Sequence, residues 1–169
     1  MKKLWAPWRM EYLRTIDHKE TGCIFCTKPK QKSDRENLIL FRGKKNFVIM
    51  NRYPYNNGHL MIVPYKHASD SARLKDDVAL EMWTLTNMCK AALTRAFHPE
   101  GFNIGMNIGR AAGAGIDQHI HMHIVPRWNG DTNCMPVICG TKVISQGLWE
   151  TYDALAPYFA AKGSRRRGG

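Results

Sequence analysis

The sequence predicts an α+β domain: an antiparallel sheet of short strands, one long helix and a short C-terminal helix. Three observations lead there. Short runs rich in β-forming residues recur along the chain, some alternating apolar with polar residues at the period of half-buried strands. One long stretch changes to spacings of three and four, the period of an amphipathic helix. Tight-turn residues join the strand runs, the arrangement of an antiparallel sheet.

The elements follow in order. Residues 1–14 form an aromatic, basic arm (Trp5, Trp8, Tyr12) expected to pack back on the body. Residues 21–37 are a polar segment that carries Cys23 and Cys26 and ends in charges. Leu38 to Phe41 and Phe47 to Asn51 read as strands joined by a hairpin turn, Arg42-Gly43-Lys44-Lys45. Tyr53-Pro54-Tyr55-Asn56-Asn57-Gly58 has turn chemistry throughout. His59 to Tyr65 is then a strand with the apolar run Leu60-Met61-Ile62-Val63. From about Lys75 to Phe97, Val78, Met82, Leu85, Met88, Cys89, Ala92 and Ala96 make one helical stripe, stopped by Pro99 and Gly101. Phe102 to Ile108 alternates again as a strand, and Gly109 to Gly115 is a Gly/Ala loop. Gln118 to Trp128 is a last strand, and Leu148, Tyr152, Leu155 and Phe159 give the C-terminal helix. Residues 1–161 make one domain with no repeat or linker, and 162–169 are a basic, disordered tail.

Composition narrows the setting. No run of residues approaches the roughly 18 apolar positions of a membrane helix, and the N-terminus lacks the apolar core of a signal peptide. A cytoplasmic protein is expected, with its five cysteines reduced. An odd count with one close pair points to a metal site, not a disulfide framework. The net charge of +11 suits a polyanion, either a phosphorylated nucleotide or nucleic acid.

The chemistry gathers in His119-Ile120-His121-Met122-His123-Ile124-Val125. Alternation puts three imidazoles on one face, roughly 6.5 Å apart along the strand, with core-type residues between them. Imidazole near neutrality serves as metal ligand, nucleophile or proton carrier. Cys23-Ile24-Phe25-Cys26 has the gap that lets two thiolates reach one zinc ion. The remaining ligands would come from His67 and one histidine of the triple. The glycines of the 109–115 loop allow backbone amides to approach phosphate, and Arg110 adds charge. With no Walker or dinucleotide fingerprint present, the middle histidine is the natural nucleophile on phosphorus. The third could contact the transferred phosphate. Among the other histidines, His59 reads as a structural hydrogen-bonding residue, and His18 and His98 as solvated. Cys89 reads as core, and Cys134 and Cys139 as ordinary thiols.

His119 to Val125 resembles the histidine-triad signature of the HIT superfamily of nucleotide hydrolases and transferases. Leu4-Trp5-Ala6-Pro7-Trp8-Arg9, Tyr53 to Leu60, and Pro126-Arg127-Trp128-Asn129-Gly130-Asp131 are similar to its bacterial branch that includes diadenosine tetraphosphate phosphorylases. The resemblance implies a HIT-like fold and a homodimer with paired sheets. It implies that His121 becomes nucleotidylated, that His123 contacts the α-phosphate and that Asn51 holds the ribose. Asn107 and Gly113 would bind phosphate, and Cys23, Cys26, His67 and His119 would hold a structural zinc. Ile116 departs from the family's Ser or Thr three residues before the first triad histidine; a backbone amide or Gln118 is the substitute to examine.

The expected activity is therefore cleavage of an adenine dinucleoside polyphosphate through a nucleotidyl-histidine intermediate, with phosphate or water as acceptor. Its rivals are a nucleoside phosphoramidase of the same family and a non-catalytic, zinc-braced module binding nucleotide or RNA. Nucleic acid is the less favoured partner, and no membrane is involved.

Overall fold

The computed structural model describes residues 22–132, Ile138 and residues 143–163. The N-terminal arm, His18, Cys134, Cys139 and residues 164–169 lie outside these. A short helix α1 (Ile24–Thr27) begins the described chain, and strands β1 (Ile39–Arg42) and β2 (Asn46–Met50) follow as a hairpin. Strand β3 (Leu60–Pro64) leads to the long helix α2 (Asp76–Phe97). Strands β4 (Gly101–Met106) and β5 (Met122–Arg127) precede the final helix α3 (Leu148–Gly163). The five strands form one sheet in the order β1-β2-β3-β5-β4, and every pairing is antiparallel. The predicted α+β architecture is present.

Strands β2 and β3 are buried at every position, so they read as continuous apolar runs and not as alternation. One face is covered by α2, which buries Val78, Met82, Leu85, Thr86, Met88, Cys89, Ala92 and Leu93. Helix α3 adds Tyr152, Leu155 and Phe159 to the core, and the Tyr152 hydroxyl donates to the Ile39 carbonyl at 2.9 Å. Residues of α1 also enter the core: Phe25 is fully buried within a segment whose sequence looks polar. Glu81 of α2 fastens the hairpin turn, accepting the backbone N–H groups of Lys44, Lys45 and Asn46 at 2.7–2.8 Å.

Several boundaries differ from the sequence reading: β4 ends at Met106, short of the expected Ile108, and two further differences concern the histidine strand and the last helix. The histidine strand enters the ladder only at Met122, because its last partners are Ile62 of β3 and Met106 of β4. Before that point the Ile120 N–H donates instead to the Ala68 carbonyl at 2.6 Å. His119 and His121 therefore sit just outside the sheet, and His123 inside it. Helix α3 continues through Gly163, so residues 162–163 extend the helix in place of beginning the tail.

Candidate active site and metal-ligand cluster

Four side chains from three separate parts of the chain converge below the sheet end. Cys23 caps α1 and Cys26 lies one turn later, so their thiols point the same way. His67 follows β3, and His119 precedes β5. Cys23 Sγ is 3.2 Å from His119 Nδ1, Cys26 Sγ is 3.3 Å from His67 Nδ1, and the two Nδ1 atoms are 3.3 Å apart. All four ligand atoms lie within 4.8 Å of one another, close enough to hold one metal ion. The tautomer of His119 suits that use. Its Nε2 is 2.9 Å from the Pro64 carbonyl, which can only accept, so Nε2 bears the proton and Nδ1 offers its lone pair to the cluster.

The same reasoning fixes His121. Its Nδ1 is 2.8 Å from the His119 carbonyl and must donate, leaving the lone pair on Nε2. The ring is buried, wedged against Phe25 at 5.1 Å and His123 at 4.7 Å between centroids. Burial pushes its pKa down, opposed by the hydrogen bond to His119.

His123 is set by a longer chain. The Tyr55 backbone N–H (3.1 Å) and the Asn51 side-chain amide (3.2 Å) both point at His59 Nδ1, which therefore accepts. His59 Nε2 then carries its proton and donates to His123 Nδ1 at 2.9 Å. The proton of His123 is left on Nε2, a buried N–H with no partner among the described residues. An orphan donor of this kind is costly unless a ligand meets it. Burial first, and then repulsion from neighbouring histidines, pushes His59 down to about 3 and His123 to about 4. Both rings are neutral at pH 7.

His67, His121 and His123 line a cavity of about 1140 Å³ together with Ile24, Phe25, Asn51, Tyr53, Tyr55, Gly113, Ile116 and Gln118. Of the residues proposed for nucleotide contact, Asn51, Gly113, Gln118 and His123 face this space. Asn107 follows β4 and is not among the lining residues. Asn51 already accepts the Tyr53 N–H at 2.9 Å and donates to His59, which leaves one lone pair and one N–H for a ligand. Gly113 adopts φ +85°, a conformation that favours glycine, at the end of a tight turn over Arg110–Ala112. Arg110 bonds Asp117 at 2.7 Å and is almost fully exposed, so its charge is directed at that carboxylate and not at the loop amides. Ile116 packs against the core and contributes an apolar surface where a hydroxyl was the family expectation.

Past the triad, Asp131 accepts from Arg127 Nε at 2.6 Å and from the buried Asn56 amide at 2.8 Å, tying the 53–58 turn to the end of β5. His59 is the residue that sequence reasoning undervalued. It is a hydrogen-bonding histidine as read, but its bond runs to the triad itself. Its signal was register, since it immediately precedes β3, which places Met61 opposite His123. Cys89 is core and His98 is exposed, as read.

Residues 32–130 match the model of the HIT domain. The chain is 39% identical over 166 residues to an AP-4-A phosphorylase of Mycobacterium tuberculosis, a match covering 95% of this chain and 85% of that one. It is 30% identical over 108 residues to an adenosine 5′-monophosphoramidase of Schizosaccharomyces pombe, covering 64% and 76%. Among solved structures, a Zn-bound histidine triad family protein from Mycobacterium smegmatis shares the fold with TM-score 0.67 at 24% identity, covering 85% of this chain and 97% of that one. A hypothetical histidine triad nucleotide-binding protein from Sulfolobus tokodaii gives TM-score 0.65 at 26% identity, covering 87% and 97%.

Proposed function

The chain belongs to the HIT domain family, and from that premise we propose that it cleaves adenine dinucleoside polyphosphates through a nucleotidyl intermediate on His121. It is a nucleotide-processing enzyme. The observation that carries the finer reading is the pair of opposed tautomers: a lone pair on His121 Nε2 beside an unpartnered N–H on His123 Nε2. The first is a nucleophile and the second a donor to the phosphate under attack.

In the first step His121 Nε2 attacks the α-phosphorus. A P–N bond forms, the P–O bond to the polyphosphate breaks, and its electron pair leaves with the bridging oxygen. The His123 N–H donates to oxygens of the phosphoryl group as charge builds on them. The His119 carbonyl holds the His121 N–H as the ring takes on positive charge. In the second step an acceptor oxygen attacks the same phosphorus, the P–N bond breaks and the lone pair returns to His121. Phosphate as acceptor makes the enzyme a phosphorylase, which the AP-4-A phosphorylase relative favours. Asn51 and Gly113 are assigned to the ribose and to phosphate.

We assign zinc to Cys23, Cys26, His67 and His119. A tetrahedral zinc with Zn–S of about 2.3 Å and Zn–N of about 2.0–2.1 Å separates its ligand atoms by about 3.3–3.8 Å. Four of the six separations here are 3.2–3.6 Å, and all six lie within 4.8 Å. Such an ion would brace the strand that carries the nucleophile. A homodimer and a cytoplasmic setting belong to the same reading. The edge strand β4 leaves Asn103, Ile104 and Gly105 exposed for a second copy, and no helix among the described residues is long and apolar enough to cross a membrane.

The test is product analysis of diadenosine tetraphosphate incubated with and without inorganic phosphate. ADP plus ATP, formed only with phosphate, supports the phosphorylase; AMP plus ATP without it indicates water as acceptor. His121→Ala should abolish either reaction while leaving the fold intact. An active His121→Ala protein would overturn the assignment.

A further inference from the structure

We propose that Tyr53 and Tyr55 form a stacking subsite for the base of the departing nucleotide, so that the enzyme grips both ends of its substrate. This rests on the proposed dinucleotide reaction and adds the second base to it. The cavity volume, about 1140 Å³, exceeds the roughly 300–1,000 Å³ that encloses a small ligand. One nucleotide leaves much of it empty.

The cavity has two apolar regions of different kinds. One is a buried wall of Phe25 and Ile49, with Ile24 beside it. The other is an open lip, where Tyr53 and Tyr55 remain 46% and 49% exposed. The reacting histidines lie between them. Phe25 touches the His121 ring, His121 touches His123 at 4.7 Å, and Tyr55 stacks on His123 with centroids 5.6 Å apart and planes 27° from parallel. A nucleotide bonded to His121 has the buried wall beside it. A leaving group then lies toward the His123 N–H, on the side of the tyrosines.

Tyr55 has one face against His123 and His59, which holds the ring in place and leaves the rest of it open. Pro54 between the two tyrosines fixes one backbone angle, so little freedom is lost when a base docks. Exposed aromatic rings accept any base, because every base has a π-face. Lys28 and Arg52 also line the cavity and supply positive charge for the phosphates that join the two nucleosides.

The experiment compares two substrates with the same phosphate chain. Diadenosine tetraphosphate carries the second base; adenosine 5′-tetraphosphate lacks it. Steady-state kinetics of wild type, Tyr53→Ala, Tyr55→Ala and Tyr55→Phe would be measured on both. The ratio of kcat/KM for the dinucleotide over the mononucleotide should fall about tenfold in Tyr55→Ala, and in the same direction in Tyr53→Ala. The change should appear in KM for the dinucleotide, and Tyr55→Phe should restore the ratio. Parallel losses on both substrates, or an unchanged ratio, would overturn the subsite, because a tyrosine that merely supports His123 acts on both alike. Wild-type protein that turns over neither substrate overturns the functional reading, and the subsite falls with it.

Discussion

Replacing His59 by leucine tests the tautomer chain directly. The substitution removes the acceptor of the Tyr55 N–H (3.1 Å) and the donor to His123 Nδ1 (2.9 Å) while keeping the site apolar. Each buried group left without a partner costs about 1–3 kcal/mol, so stability should fall by about 2–5 kcal/mol. The same lost donor frees the His123 proton to move to Nδ1, or the ring to turn. One oriented hydrogen bond of about 1–3 kcal/mol corresponds to a rate loss of about 5- to 150-fold at constant enzyme concentration. His59→Gln retains a side-chain N–H and should recover part of it. The assay is kcat and kcat/KM on diadenosine tetraphosphate, paired with nitrogen NMR of His123 to show which ring atom carries the proton. A folded His59→Leu protein with wild-type rate and the proton still on His123 Nε2 would refute the argument.

Metal analysis of protein purified without chelator should give one zinc per chain, lost in Cys23→Ser; a metal-free wild type would sink the site. Acid should destabilise the fold well before the carboxylates titrate. His59 and His123 stay neutral in the folded state to about 3 and about 4, whereas the unfolded chain takes up protons near the ordinary 6.5. Stability should therefore be full above about pH 6.5 and decline toward pH 4 by about 1.4 kcal/mol per pH unit for each ring; denaturant unfolding at pH 7 and 5 measures it, and equal midpoints would contradict it. Gly58 has φ +72°, and a β-carbon added there would meet the Leu93 side chain at 3.0 Å. Gly58→Ala should cost about 1–2 kcal/mol, read as a fall in Tm of a few degrees, and an unchanged Tm would argue against strain there.

The strands and the long helix were legible because each leaves a periodic trace, and spacing marked Cys23 and Cys26 as a pair, whereas His119 as their companion beside His67 came from the family resemblance. Val78 to Ala92 could hardly be anything but one face of a helix. The alternation around His121 marked an extended segment correctly but not where the ladder begins, since that depends on where pairing to Ile62 of β3 and Met106 of β4 stops. Phe25 looked like part of a polar loop, and only the packing of α1 on His119 and His121 shows it as core. Arg110 looked available to phosphate, but Asp117, seven residues on, is its partner. In the relay that starts at Tyr55, the bond from His59 to His123 joins positions 64 residues apart. Pattern within a sequence window cannot report a bond of that reach.

His119 has a consequence for how this chain can change over generations. Its Nδ1 faces the cluster, its Nε2 holds Pro64, and its carbonyl holds the His121 ring. The residue is fully buried, so a substitution at Cys23, Cys26 or His67 changes what its Nδ1 meets in a place that water does not reach. Cys23, Cys26, His67 and His119 are thus coupled through one small volume, and a lineage that changes one of them should change the others with it.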